Sequence, residues 1–153
     1  MQVQKILEIK GTALFTIAPG KTLAEGIAIM AELDVGSLVC FENGRMVGML
    51  TFRELLKTIH QHGPGAGNLN IADVMVRDPH SASPDMEMGD LCRLMIAHHM
   101  RYLPVMDGTT LMGVISFHDV ARAVLDEQGF ENKMLKEYIR DWPTEGMDKT
   151  VSA

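Results

Sequence analysis

The chain has 153 residues, of which 46% are hydrophobic and 22% are charged, and this balance excludes wholesale disorder. The net charge of −6 argues against non-specific nucleic-acid binding, because such proteins present a basic surface to the phosphates. No stretch approaches the roughly 18 apolar residues of a membrane span, and residues 1–10 do not resemble a signal peptide. We therefore expect a cytoplasmic protein that binds neither nucleic acid nor membranes.

The first half of the chain begins with signals for a strand and a helix. A short strand is predicted at 13–17, before the turn at Pro19-Gly20. Thr22 and Glu25 have the spacing of a capping box, which opens a helix. The predicted apolar face of this helix consists of Leu23, Ile27, Met30 and Ala31.

A hairpin and a second helix follow. Two apolar runs, 37–41 and 45–50, flank Asn43-Gly44, which is a strong signal for a β-hairpin. The apolar positions of the next helix are Leu55, Leu56 and Ile59. The first half is therefore predicted to be β-α-β-β-α, and residues 62–68 are a linker by composition.

The second half repeats the first at an offset of 65 residues, without a gap. Residues 46–57 and 111–122 keep the chemical class at nearly every position. The identities along the overlay are Ile6 with Ile71, Pro19 with Pro84, Met30 with Met95, Leu38 with Leu103, Gly48 with Gly113 and Phe52 with Phe117. This match indicates a tandem duplication, with Asp107-Gly108 as the second hairpin signal.

A further helix is predicted beyond the duplication, at 126–142. Its apolar residues recur every four positions, namely Phe130, Met134, Tyr138 and Trp142, and the pattern ends before Pro143. We expect this amphipathic helix to dock on its own module. The alternative is a contact with a second subunit or an effector protein. Residues 143–153 are predicted to be a frayed tail.

Each hairpin leads into a helix through a hydroxyl and a carboxylate three residues apart. In the second half, the N-terminus of the helix near Phe117 favours an anion, and Ser116 adds a hydroxyl donor. Gly113 would let a ligand approach the backbone, and Asp119 can accept both hydroxyls of a ribose. Phosphate and diol recognition in this order indicate a nucleotide. The alternative is that this motif and its counterpart are only capping boxes.

The hairpins, the motifs at 48–54 and 113–119 and the segment 103–108 resemble the CBS (cystathionine β-synthase) domain. The tandem resembles the stand-alone two-repeat Bateman module. This resemblance implies an α/β (α+β) fold in which two β-α-β-β-α repeats, 1–61 and 69–125, are related by pseudo-two-fold symmetry. It also implies that Ser116 contacts the phosphate and Asp119 the ribose of an adenine nucleotide, and that two copies form a disc-like homodimer.

In the resembling family each binding pocket lies between the two repeats. The favoured pocket would consist of Lys10, Gly11, Thr12, Met100, Arg101, Tyr102, Gly113, Ser116 and Asp119. The other pocket would consist of Gly36, Ser37, Thr51, Glu54, Val76, Arg77 and Asp78. We rank the Asp119 pocket first, because aspartate is the shorter ribose clamp and Arg101 can pair with a phosphate.

The sequence spacing of the candidate residues argues against a catalytic triad and against a metal site. Ser116, His118 and Asp119 are too close in sequence for a hydrolytic triad, whose members usually come from distant positions. The closest histidine pairs, His98-His99 and His60-x-His62, lack the i, i+4 spacing of helical metal ligands. Cys40 and Cys92 stand at unrelated positions, and we expect them to be two buried free thiols.

The sequence therefore predicts a regulatory protein without enzymatic activity, metal or catalytic cofactor. Its ligand is expected to be AMP, ADP or ATP, bound between the repeats, and its occupancy is expected to be signalled to a partner protein. NAD(H) and S-adenosylmethionine are the alternative ligands. A ligand-free protein-interaction module is the alternative function, and a small hydrolase is a weaker third.

Overall fold

The computed structural model describes residues 1–11 and 14–127 of the chain. These residues form a mixed α/β fold with five helices and two sheets, as the sequence predicts. None of the helices among them has the length and apolar composition needed to cross a bilayer. The predictions for Thr12, for most of the helix 126–142 and for the tail 143–153 lie outside the described residues.

In the second repeat the predicted first strand is only a single bridge at Ala82, whereas the other elements that the sequence predicts for both repeats are present, together with an N-terminal helix and one more short strand. The elements are α1 (Val3–Lys10), β1 (Thr16–Ile17), α2 (Leu23–Leu33), β2 (Ser37–Glu42), β3 (Arg45–Thr51), α3 (Phe52–His62), β4 (Val76–Arg77), α4 (Met88–Ala97), β5 (Tyr102–Asp107), β6 (Thr110–Ser116) and α5 (117–127). Two short 3₁₀ helices, Gly63–Asn68 and Ile71–Asp73, connect α3 to β4.

The backbone pairing shows the duplication directly. The first sheet has the order β1-β2-β3-β4, in which β1 is parallel to β2 and the other neighbours are antiparallel. The second sheet is the antiparallel pair β5-β6. A parallel bridge joins Ala82 to Val105, and it is the counterpart of the pairing between Ile17 and Cys40 at the 65-residue offset.

The two hairpin turns lie at equivalent positions, and the second is one residue further along the chain than the sequence predicted. Asn43 and Gly44 both have positive φ, 53° and 74°, as a type I′ turn requires. In the second hairpin Asp107 still pairs with Thr110, so the loop residues are Gly108 and Thr109, not Asp107-Gly108. The reason is that the first loop position needs a positive φ, and Gly108 adopts it at 61° without steric cost.

Three segments differ from their sequence-based expectations. Residues Val3–Lys10 are helical, because Val3, Ile6 and Leu7 form a buried stripe at helical spacing. The first strand is limited to Thr16–Ile17 within the predicted 13–17. The predicted linker is a 3₁₀ helix at Gly63–Asn68, whose Ala66 is buried in the core.

Helix α2 begins where it was predicted to begin, and most of its predicted apolar face is directed toward the core. The capping box forms, with the Thr22 N–H donating to Glu25 Oε2 at 2.8 Å and the Glu25 N–H donating to Thr22 Oγ1 at 3.2 Å. Leu23 and Met30 are buried, whereas Ala31 is exposed. Ala31 lies at the edge of the apolar stripe, beyond the reach of the core.

Helix α3 turns part of its predicted apolar face outward. Leu55 and Thr58 are buried, and the Thr58 hydroxyl donates to the Glu54 carbonyl at 2.7 Å. Leu56 and Ile59, the other two apolar positions that predicted this helix, are exposed. The helix therefore presents a second apolar surface, away from the core of its own repeat.

The two repeats exchange the segments that precede their first strands. Ile6 and Leu7 of α1 pack in the core of the second repeat, together with Leu91, Leu103 and Ile115. In return, Ile71 and Met75 pack in the core of the first repeat, beside the side chains of Leu23, Leu38 and Leu50. Each core is therefore completed by a segment of the other repeat.

The thiols differ in their burial. Cys40 is fully buried, and burial, reinforced by the negative charge of Glu54, raises its pKa to about 11. Cys92 is only half-buried, so the prediction of two buried thiols holds for Cys40 alone. Neither cysteine is in a disulfide.

Two isoleucines on α1 test the exchange of segments. Ile6 is 1% exposed and Ile9 is 48% exposed. We expect Ile6→Ala to reduce the free energy of unfolding by about 2–5 kcal/mol, because it leaves a cavity in the core of the second repeat. Ile9→Ala is the matched control and should change it by less than about 0.5 kcal/mol. Chemical denaturation measures both variants, and equal losses would contradict the packing of α1.

Candidate functional site

The exchange brings the end of α1 to the start of α5. The Lys10 ammonium lies 2.6 Å from Asp119 Oδ2 and donates to the Val114 carbonyl, also at 2.6 Å. The side chains of Lys10 and Asp119 are 32% and 16% exposed, so this ion pair is partly shielded from water. The sequence predicted both residues for one pocket, and the structure places them in direct contact.

Ser116 and Asp119 form a complete capping box at the start of α5. The Ser116 N–H donates to Asp119 Oδ2 at 2.8 Å, and the Asp119 N–H donates to Ser116 Oγ at 3.0 Å. Asp119 Oδ2 therefore receives two donors, one from the backbone and one from Lys10. Within the part of the chain that the structure describes, the Ser116 hydroxyl donates no short hydrogen bond and makes only a weaker contact with the Asp119 carboxylate, which helps to lower the pKa of Asp119, so the hydroxyl can turn to a ligand.

The environment of Asp119 favours its ionised form. Burial raises the pKa of this carboxyl, but the hydrogen bond and the charge of Lys10 and the hydrogen bonds with Ser116 outweigh burial. The pKa of Asp119 is thus lower than its ordinary value. The carboxylate is held ionised by partners that belong to both repeats.

In the equivalent motif of the first repeat, the hydroxyl and the carboxylate are hydrogen-bonded to each other. The Thr51 N–H and the Thr51 hydroxyl both donate to Glu54 Oε1 at 2.8 Å, and the Arg53 N–H donates to Thr51 Oγ1 at 3.3 Å. Glu54 is buried. The longer glutamate reaches back to the hydroxyl, so the Thr51 proton is already used inside the box, in contrast to that of Ser116.

A cavity of about 860 Å³ lies between the repeats, next to the Lys10–Asp119 pair. We call it the larger cavity. Its lining includes six of the residues predicted for the Asp119 pocket, which are Lys10, Gly11, Met100, Arg101, Tyr102 and Ser116. Asp119 is not in the lining itself, but it contacts Lys10 and Ser116, which are.

Gly113 was predicted to let a ligand approach the backbone, but it does not line the larger cavity. A Cβ at this position would lie 2.8 Å from Leu7 Cδ2, so the glycine accommodates the crossing helix α1. Gly48 is its counterpart, where a Cβ would lie 2.7 Å from the sulfur of Met75. Both glycines are therefore required by the exchanged segments. Thr12, the remaining residue predicted for this pocket, lies outside the described residues.

A second cavity, of about 620 Å³, lies beside Glu54, and we call it the smaller cavity. Four residues predicted for the Glu54 pocket line it, which are Thr51, Glu54, Val76 and Asp78. Arg77 is not in its lining and instead donates to the Ala72 carbonyl at 3.0 Å. Residues 99–102 line both cavities, so this segment separates them.

Gly36 and Ser37 line the larger cavity, not the Glu54 pocket to which the sequence analysis assigned them. The physical reason is the packing of Gly36, whose backbone lies against Tyr102 and Phe52. A Cβ at Gly36 would collide with the Tyr102 ring and would lie 2.9 Å from Phe52 Cε2. The loops before β2 and before β5 therefore meet at the centre of the molecule and share one cavity.

Several lining residues were missed by the sequence analysis. Asp34 and His99 line the larger cavity, and both adopt positive φ, 54° and 53°, after equivalent helices. His118 also lines it, whereas His80 and His98 line the smaller cavity and stack at 4.1 Å between ring centroids. The 65-residue offset relates Asp34 to His99, so the overlay contained the signal for this pair.

No group of three or more His, Cys, Asp or Glu side chains within 1–11 and 14–127 is arranged to hold a metal ion. The charged side chains that line the larger cavity there are Lys10, Arg101 and Asp34. With Asp119 included, these side chains carry two positive and two negative charges, so an anionic ligand would be held by the local placement of Lys10 and Arg101 and not by a net charge of the cavity.

The lowered pKa of Asp119 predicts how its stabilising effect depends on pH. Because the folded-state pKa is below the ordinary value of about 3.9, ionised Asp119 stabilises the fold above that pH. This stabilisation is lost as the pH falls through the folded-state pKa. Asp119→Asn should therefore lower the free energy of unfolding at pH 7 and converge with the unsubstituted protein near pH 2.

Asp90→Asn is the control for this pH series, because Asp90 pairs with Arg93 in an exposed i, i+3 ion pair. Its effect on the free energy of unfolding should be small at both pH values. Denaturation curves at pH 7 and near pH 2 measure the three proteins. A loss of stability in Asp119→Asn that persists unchanged at low pH would contradict the ion pair.

Comparison with known proteins identifies the family. The profile of the family described as CBS domain matches residues 8–61 and 71–126. The CBS domain-containing protein YhcV of Bacillus subtilis is 32% identical over 111 residues, which are 72% of this chain and 78% of that protein. The CBS-domain containing protein ATU1752 from Agrobacterium tumefaciens has a TM-score of 0.78 at 23% identity, over 80% of this chain and 98% of that chain.

Two similar structures contain ligands. The CBS domain pair of protein MJ0100, in complex with 5′-methylthioadenosine and S-adenosyl-L-methionine, has a TM-score of 0.72 at 19% identity, over 83% of this chain and 98% of that chain. CBSX2 in complex with AMP has a TM-score of 0.66 at 22% identity, over 75% of this chain and 90% of that chain. The two matches to the family profile cover most of the chain, and the exchanged repeats have the fold of these pairs. The chain therefore belongs to the CBS domain family, as a tandem pair of CBS domains.

Proposed function

We propose that this CBS pair, which is a regulatory module, binds an adenine nucleotide of the AMP, ADP or ATP class in the larger cavity and signals its occupancy to a partner. The observation that carries the proposal is the Ser116–Asp119 motif, placed at the wall of a cavity that both repeats line. NAD(H) and S-adenosylmethionine are the alternative ligands of the same cavity.

The donors around Ser116 suit a phosphate. The Ser116 hydroxyl can turn to donate to a ligand, and the exposed Arg101 lines the same cavity. A guanidinium can hold a phosphate through two parallel hydrogen bonds and remains charged at any physiological pH. Lys10 contributes a second cation, which comes from the first repeat. These three groups come from elements of both repeats, so a phosphate between them would bridge the repeats.

The remaining walls suit a ribose and a base. Asp119 contacts Ser116 and can accept a ribose hydroxyl, which would then receive a charge-assisted hydrogen bond. The apolar side chains in the lining include Leu14, Phe15, Val35, Val39 and Ile96. An adenine ring is flat and largely apolar on its faces, so it can pack against such a surface.

Two structural neighbours support this class of ligand. The CBS pair of protein MJ0100 is in complex with 5′-methylthioadenosine and S-adenosyl-L-methionine, and CBSX2 is in complex with AMP. The feature common to these three ligands is adenosine. The Ser116–Asp119 motif and the cations beside it favour the member of this class that carries a phosphate.

The larger cavity is the better candidate of the two. In the smaller cavity Glu54 is buried, and both the Thr51 hydroxyl and the Thr51 N–H are already bonded to it. A ligand there would have to break the capping box before it could use either group, at a cost of about 1 kcal/mol. The larger cavity offers the Ser116 hydroxyl without such a loss.

The geometry favours a sensor over a hydrolase. Asp119 is bonded to Ser116 and Lys10, and among the described residues it accepts no hydrogen bond from His118. The orienting contact that a hydrolytic triad needs is therefore missing from this arrangement. A ligand that contacts both repeats acts instead by population shift, because it stabilises the relative packing of the repeats to which it binds best.

A ligand-free interaction module is the second candidate function. It is favoured by one observation, which is that both motifs are complete capping boxes with protein atoms alone. A thermal-shift panel of AMP, ADP, ATP, NAD(H) and S-adenosylmethionine separates the two candidates. A ligand at 100 times its dissociation constant adds about 2.7 kcal/mol of stability, whereas an interaction module shows no shift.

We expect Asp119→Ala and Glu54→Ala to separate binding from capping. Asp119→Ala removes the acceptor of the ribose, and the loss of a charge-assisted hydrogen bond should weaken nucleotide binding roughly 10- to 100-fold. Glu54→Ala should cost about 1 kcal/mol of stability through the lost cap, with little change in binding at the larger cavity. Calorimetric titration with the best nucleotide of the panel measures both. The reverse pattern would move the proposed site to the smaller cavity.

We also propose that two copies of the chain form a homodimer through the outer faces of α3 and α5. Both helices start with an exposed phenylalanine, Phe52 and Phe117, and both carry an exposed leucine, Leu56 and Leu125. Leu56 is 72% exposed. Exposed apolar side chains clustered on two helices are typical of an interface between subunits.

Light scattering at micromolar concentration should give about twice the chain mass of 16.9 kDa. Leu56→Arg should shift the protein toward the monomer, because it places a charge among these apolar side chains. Leu33→Arg is the matched control, since Leu33 is also exposed but lies on α2. A monomer before any substitution would refute the homodimer, and equal effects of both variants would place the interface elsewhere.

A further inference from the structure

We propose that Lys10 is a specificity-determining residue, which makes the larger cavity select an adenine compound that carries a phosphate over one that is uncharged or cationic. This inference rests on the proposed function and names the feature of the ligand that the site reads. It starts from the ion pair between Lys10 and Asp119. In this pair the lysine binds the carboxylate that is proposed to accept the ribose hydroxyls.

The Lys10 ammonium already binds a carboxylate oxygen of Asp119 that a ribose hydroxyl would need. A carboxylate that binds a cis-diol uses both of its oxygens. Asp119 Oδ2 already receives the Ser116 N–H at 2.8 Å and the Lys10 ammonium at 2.6 Å. A second ribose hydroxyl therefore competes with Lys10 for this oxygen. Binding of the diol requires the ammonium to move away from Asp119 or to share it.

A displaced ammonium needs a new partner. Lys10 is 32% exposed, and its two hydrogen bonds, to Asp119 and to the Val114 carbonyl, are both made on the protein. An ammonium that leaves them without replacement loses a charge-assisted hydrogen bond in a partly shielded site. A phosphate held by Ser116 supplies the replacement, because Ser116 is bonded to the same Asp119 carboxylate and lies beside it.

The charge of the ligand therefore decides whether this exchange is favourable. With a nucleoside phosphate, the ribose takes the place of Lys10 on Asp119 and the phosphate receives Lys10. With an uncharged nucleoside, Lys10 loses its partner and gains none. A sulfonium compound is less favourable still, because its positive charge meets the ammonium of Lys10 and the guanidinium of Arg101 in the lining, against the single carboxylate of Asp34.

Lys10 is placed so that its side chain can change partner without disturbing the fold. It is the last residue of α1, and Gly11 follows with a φ of 97°, which ends the helix there. Helix α1 is anchored one and two turns earlier, by Leu7 and Val3 in the core of the second repeat. The movement can thus be confined to the lysine side chain and the end of the helix.

The first repeat has no equivalent arrangement. Its crossing segment carries Arg77, but that guanidinium donates to the Ala72 carbonyl, and Glu54 Oε1 is held by Thr51. Arg101 lines both cavities and cannot by itself give one of them a different selectivity. Selection for a phosphate through displacement of a lysine is therefore a property of the larger cavity.

Calorimetric titration with AMP, adenosine and S-adenosylmethionine tests the proposal on the full chain. The unsubstituted protein should bind AMP roughly 10- to 100-fold more tightly than adenosine. Lys10→Met should weaken AMP and leave adenosine and S-adenosylmethionine unchanged or tighter, because Asp119 is then open. The ratio of AMP to adenosine affinity should fall about tenfold or more. Lys10→Arg, which keeps the charge, should retain most of this ratio.

Lys5→Met is the matched control, because Lys5 lies on the same helix and pairs only with the exposed Glu8. It removes the same charge and should leave the ratio unchanged. Equal weakening of AMP and adenosine by Lys10→Met would overturn the proposal, as would an equal effect of Lys5→Met. If the unsubstituted protein binds AMP but the ratio is close to one, this inference fails and the proposed function stands. If it binds none of the adenine compounds, the proposed function fails as well.

Discussion

The exchange of crossing segments between the two repeats is the constraint on which the rest of the molecule depends. Ile6 of the first repeat fills the second core, and Ile71 of the second repeat fills the first. Each fully buried isoleucine contributes about 1.5–3 kcal/mol, and neither repeat can keep that contribution alone. The repeats are therefore held in one relative arrangement by their cores. The residues that line the cavities between them are fixed in place by the same packing.

The same crossing determines the chemistry of the walls. Because α1 ends on the second repeat, Lys10 reaches Asp119, although the two residues are far apart in sequence. Because the loops before β2 and β5 meet at Gly36 and Tyr102, both contribute to the larger cavity. A ligand in the proposed site would thus contact groups from each repeat, and any difference in its affinity for two arrangements of the repeats would shift their populations.

The parts of this structure that follow from local pattern could be predicted from the sequence. The duplication, the hairpins and the three capping boxes depend on residues within a few positions of each other. Gly113 shows what could not be predicted. The residue type is evident in the sequence, but its neighbour in the fold is Leu7 from the other repeat, which no local pattern indicates. The assignment of Gly36 to the Glu54 pocket failed for the same reason, because its packing against Tyr102 and Phe52 is a tertiary contact, and the exposure of Leu56 is likewise decided by tertiary packing.

The duplicated motif shows how one local structure can acquire two roles. Both copies begin a helix with a hydroxyl and a carboxylate, but Glu54 bonds the Thr51 hydroxyl at 2.8 Å, whereas Asp119 accepts its short hydrogen bonds from the Ser116 backbone and from Lys10. Shortening the acid by one methylene thus frees a hydroxyl and leaves a carboxylate that the crossing lysine can reach. In the first copy the polar groups stabilise the helix start, whereas in the second the carboxylate also pairs with Lys10 of the other repeat. This difference of one methylene, combined with the crossing of α1, is sufficient to make two equivalent positions chemically unequal.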